Sequence, residues 1–271
     1  MSYSIAGRTA IVTGAARGVG LAIARHFIDR GANVMFADPD EEALEHEVGE
    51  EARADGPLRC FAVDLRQKLG IANLLSATID AFDRVDILVN AHRQLALSDP
   101  LGIEPDSVSE MLEQNLMTSL RLSQAVARRM VAQSEAAGPE GAAPAAGAIV
   151  NLSSIASRRT QPELLAYSVA CAAIDQLTRS MAVALAPKRI RVNAVAFGSV
   201  MSASLQTSLR GRADIRAEVT RHTPLARIAA PAELAEAVQF LASDGAGFIT
   251  GQVLTIDGGR SLLDPVSLPA H

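Results

Sequence analysis

The sequence predicts an α/β fold: one doubly wound, parallel, seven-stranded sheet with helices on both faces, in a single domain. Short β-branched runs alternate with longer helical patterns along the whole chain. Most of those runs are apolar throughout instead of alternating, as strands covered on both faces are. The first run opens directly into a glycine-rich turn and a helical pattern, and repeated strand–helix–strand order requires right-handed crossovers between parallel strands.

The expected strands are 9–13, 33–37, 59–63, 86–89, 148–152, 191–196 and 253–256. Helices fill the intervals 19–30, 41–54, 69–82, 107–131, 166–185 and 232–241. Gly31 stands where the first helix stops, and Pro231 where the last one starts. Residues 133–147 (QSEAAGPEGAAPAAG) are too rich in Ala, Gly and Pro to bury much and are expected as a surface loop insertion. The domain is expected over 1–263, with residues 198–222 as a lid and 264–271 as a C-terminal tail. The lid mixes Leu205, Leu209, Ile215 and Val219 with Arg210, Arg212 and Arg216, a pattern that suits a solvated helix face.

Of the 271 residues, 49% are apolar and 20% charged, enough for one filled core and short for two full domains. Aromatics make up 3% with no Trp, so the core must be aliphatic. The net charge of −5 is dispersed, which argues against nucleic acid and against a membrane surface as partners. Cys60 and Cys171 do not suggest a disulfide framework and suit a reducing compartment. Residues 1–7 lack a leader pattern, and no apolar run is read as long enough to span a bilayer. A soluble cytoplasmic protein is expected, and no metal site.

The first strand runs into Thr13-Gly14-Ala15-Ala16-Arg17-Gly18-Val19-Gly20. Glycines at 14, 18 and 20 let the backbone turn sharply and approach a pyrophosphate, with free N–H groups and the helix dipole facing it. No Gly-Lys-Ser/Thr follows, so the turn is not a nucleoside-triphosphate P-loop. Asp38 closes the second strand, 18 residues after Gly20. Its carboxylate suits the adenosine ribose hydroxyls and repels a 2′-phosphate; the plainer alternative is a helix cap. Arg17 pulls the other way, as a cation that can pair with a 2′-phosphate, but the carboxylate sits on the ribose itself. NAD is favoured over NADP. Asp64-Leu65, ending the third strand, fits the adenine amino group or a cap for the next helix.

The second half carries Ile149-Val150-Asn151-Leu152-Ser153-Ser154, then Tyr167 thirteen residues on, then Arg191-Val192-Asn193-Ala194-Val195 and an ending from Ile249-Thr250-Gly251 to Asp257-Gly258-Gly259. With Thr223-Pro224-Leu225-Ala226-Arg227, these motifs resemble the short-chain dehydrogenases/reductases, in particular the 3-oxoacyl-carrier-protein-reductase-like branch, from about Gly7 to Gly259. The resemblance implies a Rossmann fold, a homotetramer or homodimer packed through helix 166–185, and hydride transfer between a nicotinamide and a small carbonyl or secondary alcohol. It also implies that Asn115 orients water, Ser154 binds the substrate oxygen and Tyr167 moves its proton. Asn90 and Ala91 would lie by the riboses, and Gly198, Val200 and Ser202 by the carboxamide. Without the resemblance, Ser154 reads as a turn cap and Tyr167 as a packing residue.

Three positions depart from the family pattern. Its catalytic lysine is Cys171, which supplies no positive charge to lower the tyrosine pKa. Its Asn-Asn-Ala-Gly turn reads Asn90-Ala91-His92-Arg93, and its Pro-Gly reads Phe197-Gly198. His92 or Arg93 is a candidate for the missing charge. Cys171 is not expected to act as a covalent nucleophile. The alternative to an enzyme is a non-catalytic NAD(H)-binding regulatory or redox-sensing protein. A methyltransferase shares the first-half logic but not the Ser154/Tyr167 segment.

Overall fold

The apolar runs become strands that feed two cores. In β1 (Thr9–Thr13), Ala10 and Val12 pack into one and Ile11 into the other; in β2 (Asn33–Asp38), Val34 and Phe36 separate likewise from Met35 and Ala37. Strand geometry sends successive side chains to opposite faces, so a sheet with two covered faces has no polar side. The computed structural model describes residues 3–53, 56–102, 107–138, 145–201 and 203–264. The other strands are β3 (Leu58–Ala62), β4 (Ile87–Asn90), β5 (Gly147–Ser154), β6 (Ile190–Phe197) and β7 (Val253–Ile256). All neighbours pair parallel, in the order β3-β2-β1-β4-β5-β6-β7. The chain reverses its direction of winding between β1 and β4, and a crevice opens beyond their carboxyl ends.

The helices are α1 (Gly18–Asp29), α2 (Glu41–Arg53), α3 (Lys68–Phe82), α4 (Ser107–Met111), α5 (Thr118–Ala136), α6 (Leu165–Leu185), α7 (Ala203–Leu209), α8 (Ala213–Arg221) and α9 (Pro231–Ala242). The single helix expected over 107–131 is interrupted by a π-helical turn, Leu112–Met117. There the hydroxyls of Thr118 and Ser119 donate back to the carbonyls of Gln114 (2.5 Å) and Asn115 (2.7 Å). Such bonds loosen the regular ladder. α5 also runs into the expected loop 133–147, because the Gln133 amide accepts from Val85 N (3.0 Å) and donates to Val85 O (2.9 Å). Residues 139–144 of that loop and 265–271 of the expected tail lie outside the described residues.

β5 and β6 are longer than expected, because their ladder continues from Gly147↔Ile190 to Ser154↔Phe197. Ser154 and Phe197 therefore sit side by side at the end of the sheet. Buried Arg191 of β6 donates to the carbonyls of Leu241, Ala242 and Ser243, satisfying the last turn of α9. The segment Pro162–Lys188 is, by length and a mean hydropathy of 1.3, apolar enough to cross a bilayer, contrary to the sequence reading. In the fold it contains α6, which packs on β5 and β6 and carries the buried Asp175.

Candidate active site

The turn after β1 is shaped by contacts that only glycine tolerates. Gly14 has φ +65°, and a Cβ there would stand 2.8 Å from His92 Cα; at Gly20 it would stand 2.0 Å from the Gly14 carbonyl oxygen. α1 starts with no side-chain cap from Arg17. Asp38 holds the turn from β2, accepting from Ala16 N (3.2 Å) and Asp40 N (3.0 Å). The cap of α2 is Asp40, which accepts from Ala43 N at 2.9 Å and pairs with Arg17. That leaves Asp38 off the helix and engages the Arg17 cation. Asp64 is paired side-on with Arg66 and accepts its backbone N–H, which holds the carboxyl down at about 2.

From this turn a cavity of about 640 Å³ runs across the crevice. Gly14, Arg17, Gly18, Val19, Gly20, Asp38, Asp64, Leu65 and Ala91 line it, as do Arg66, His92, Arg93, Gln94, Gln114, Thr118, Leu152, Phe197 and Thr207. The residues fit a dinucleotide: Gly14, Gly18 and Gly20 put a turn without side chains on the cavity wall, beside the carboxylate of Asp38.

At the far end the side chains form a tight cluster. Tyr167 is 2% exposed and packs with Cys171, and Ser154 bears on its phenol. Ser154 Oγ also accepts from Ala156 N at 3.2 Å, so it caps the next turn as well. The Arg93 guanidinium stands 5.4 Å from the Tyr167 ring centroid and 4.3 Å from that of Phe197, and donates to Ser153 O (3.3 Å). Burial raises the Tyr167 phenol well above its ordinary range; Arg93 opposes this, Cys171 adds to it, and Ser154 opposes it. The Cys171 thiol is likewise raised by burial and stays neutral at ordinary pH. His92 is the other half of the expected pair, and loss of water pulls its imidazole down to about 4. It is uncharged near neutrality, so the positive charge here belongs to Arg93.

Several residues singled out from the sequence lie off the cavity wall. Arg93 and Phe197 line the cavity there, and Ser154, Tyr167 and Cys171 do not. Asn90 is buried and donates to Ser123 Oγ (2.9 Å) and Asn151 Oδ1 (2.8 Å). Asn115 binds the Gln94 backbone through its amide, accepting from its N (2.8 Å) and donating to its O (2.9 Å), with Met111 Sδ as a further acceptor (3.8 Å), so this side chain positions the turn after β4. Val200, expected at the carboxamide, is buried in the core and bridged to Ala229. Gly198 faces Ile155, and Ser202 lies outside the described residues. Sequence reasoning passed over Gln94, Gln114 and Thr118. The only available signal was adjacency, Gln94 to Arg93 and Gln114 to Asn115.

Residues 14–261 match the family model described as Enoyl-(Acyl carrier protein) reductase. The chain is a short-chain dehydrogenase/reductase. This oxidoreductase is 36% identical over 261 residues to a cis-4-hydroxycyclohexanecarboxylate dehydrogenase of Sinomonas cyclohexanicum, covering 96% of this chain and 98% of that one. Its fold is similar to that of a 7α-hydroxysteroid dehydrogenase complexed with NADH and 7-oxo glycochenodeoxycholic acid (TM-score 0.85, 30% identity, 95% of each chain). It is also similar to a gluconate 5-dehydrogenase of Burkholderia cenocepacia in complex with NADP and tartrate (TM-score 0.85, 27% identity, 97% and 98% of the chains). As a dehydrogenase/reductase it binds a nucleotide and acts on a small molecule. Among the described residues no group of three or more His, Cys, Asp or Glu is placed to hold a metal ion.

Proposed function

We propose that the chain is an NAD-dependent dehydrogenase or reductase that interconverts a carbonyl and a secondary alcohol. The observation that carries this reading is a cavity with the Gly14–Gly20 turn and Asp38 at one end and Arg93 and Phe197 at the other, where Arg93 lies over the ring of Tyr167. The turn would hold the diphosphate, Asp38 the adenosine ribose, and Leu65 the adenine edge. NAD, when bound, would supply or accept the hydride. The carboxylates of Asp38 and Asp40 in this corner, and the engagement of Arg17 by Asp40, favour NAD over NADP.

Ser154 would hold the substrate oxygen, and Tyr167 would give it a proton in reduction or take one in oxidation. Orientation of the reactants supplies much of the acceleration in such a site whatever residue stands at position 171. Exposed Val169 and Val183 on α6 support packing of copies through that helix as a homodimer or homotetramer.

Calorimetric titration with NAD and NADH, followed by nicotinamide absorbance with a panel of ketones and secondary alcohols, tests the reading. Tyr167→Phe is expected to lower turnover at least about 100-fold while coenzyme still binds. Undiminished turnover in that variant, or tight coenzyme binding with no turnover across the panel, would sink it.

A further inference from the structure

We propose that Arg93 is the cation that serves Tyr167 in this protein, reaching the face of the phenol ring from the turn after β4 and not from the helix that carries the tyrosine. Arg93 acts through Tyr167, as a positioning residue. The inference rests on the reading of Tyr167 as the proton-transfer group and names the cation that faces its ring.

The geometry is specific. The guanidinium is held between the Phe197 ring at 4.3 Å, the Tyr167 ring at 5.4 Å and the Ser153 carbonyl at 3.3 Å. A phenolate spreads negative charge into its ring, so a cation over the face is attracted more strongly to the ionised form than to the neutral one. The three departures from the family pattern meet at this point. Position 93 carries the cation, position 197 provides the aromatic surface on which it rests, and position 171 places a neutral thiol where a second cation would repel it. The three replacements therefore read as one rearrangement of the charge rather than three separate losses.

The groups facing the phenol come from three elements. Arg93 lies in the turn after β4, Ser154 at the end of β5, and Cys171 one turn along α6; Asp175, a further turn along, acts on Cys171. Burial raises the phenol more than any of these, and Arg93 is the largest influence that opposes it.

The chain has two tyrosines and no Trp, and the other tyrosine, Tyr3, is 62% exposed. Both can be replaced biosynthetically by 3,5-difluorotyrosine, whose phenol ionises several pH units earlier. Fluorine NMR of the coenzyme-free protein then follows each phenol, with Tyr3 as internal reference and Tyr167→Phe assigning the signals. Arg93→Gln is expected to raise the Tyr167 midpoint by about one pH unit or more. Arg93→Lys should keep it near the parent value, and Arg93→Gln with Cys171→Lys should bring it back. An unchanged midpoint in Arg93→Gln overturns the proposal. No coenzyme or substrate enters the measurement. A midpoint that depends on Arg93 in a protein without turnover would thus sink the activity proposed above and leave this pairing standing.

Discussion

His92 and Arg93 are neighbours with opposite fates, and burial decides which one carries charge. The His92 ring is clamped between Thr13 Oγ1 at Nδ1 (2.7 Å) and Thr118 Oγ1 at Nε2 (2.7 Å). Thr118 already donates to Gln114 O, so it accepts from Nε2–H. Thr13 already accepts from Ala91 N and His92 N, and its own proton has Nδ1 nearer (2.7 Å) than its other acceptor, Val89 O (3.3 Å). The network, from which the tautomer is assigned, has no place for a second ring proton. The folded imidazole titrates at about 4, against roughly 6.5 in an unfolded chain. Between those values the unfolded chain binds a proton that the folded one refuses, so stability is present above 6.5 and is lost as pH falls towards 4. Urea unfolding at pH 7 and pH 4.5 should differ by about 2 kcal/mol from this group alone, and His92→Gln should remove that part of the slope. A slope unchanged in His92→Gln would show that the buried imidazole is not its source. Sequence reasoning left the two residues as equal candidates for the missing charge, because adjacency along the chain says nothing about which way each side chain turns.

The glycine turn and the long strands were legible in the sequence because each depends on a local pattern. The turn needs bare backbone at fixed spacing, and strands covered on both faces need unbroken apolar runs. Gly20→Ala tests the first directly. Its Cβ would lie 2.0 Å from the Gly14 carbonyl, and backbone cannot swing aside as a side chain can. Coenzyme affinity is expected to fall at least about 100-fold, with about 1–3 kcal/mol lost from folding by the forced shift. Calorimetry and urea unfolding on the same preparation check this, and wild-type binding in the variant would mean the turn is more compliant than its contacts indicate. The π-helical turn at Leu112–Met117 had no such local signature. Its residues read as ordinary helix, and the long-range bond of its Asn115 amide to the backbone of Gln94 shows only in the fold. For the same reason Gln94, Gln114 and Thr118 went unnoticed as cavity residues. The motif around Arg191 was legible as a pattern but not as a purpose, since its role in closing α9 appears only when that helix is packed beside β6.

Across the whole molecule the cavity belongs to neither half of the chain. Its walls come from the turn after β1, the ends of β2 and β3, the turn after β4, the π-helical turn, β5, the end of β6, and Thr207 of α7. The two halves of the sheet meet at β1 and β4, where Thr13 Oγ1 accepts from both Ala91 N (3.0 Å) and His92 N (3.2 Å). A ligand spanning this junction binds the folded chain and not the unfolded one, so it must stabilise both halves together. At one hundred times its dissociation constant, NAD should add about 2.7 kcal/mol, raising the thermal midpoint by roughly 5–10 °C for a chain of this size. Amide exchange should then slow at residues 14–20 and at 112–119 alike, although the two stretches are far apart in sequence. AMP, which can engage only the adenosine end, should slow the first stretch and leave the second near its free rate. Protection by NAD confined to the first stretch would mean that the dinucleotide stops short of the Arg93–Phe197 end, and the hydride chemistry assigned to that end would lose its footing.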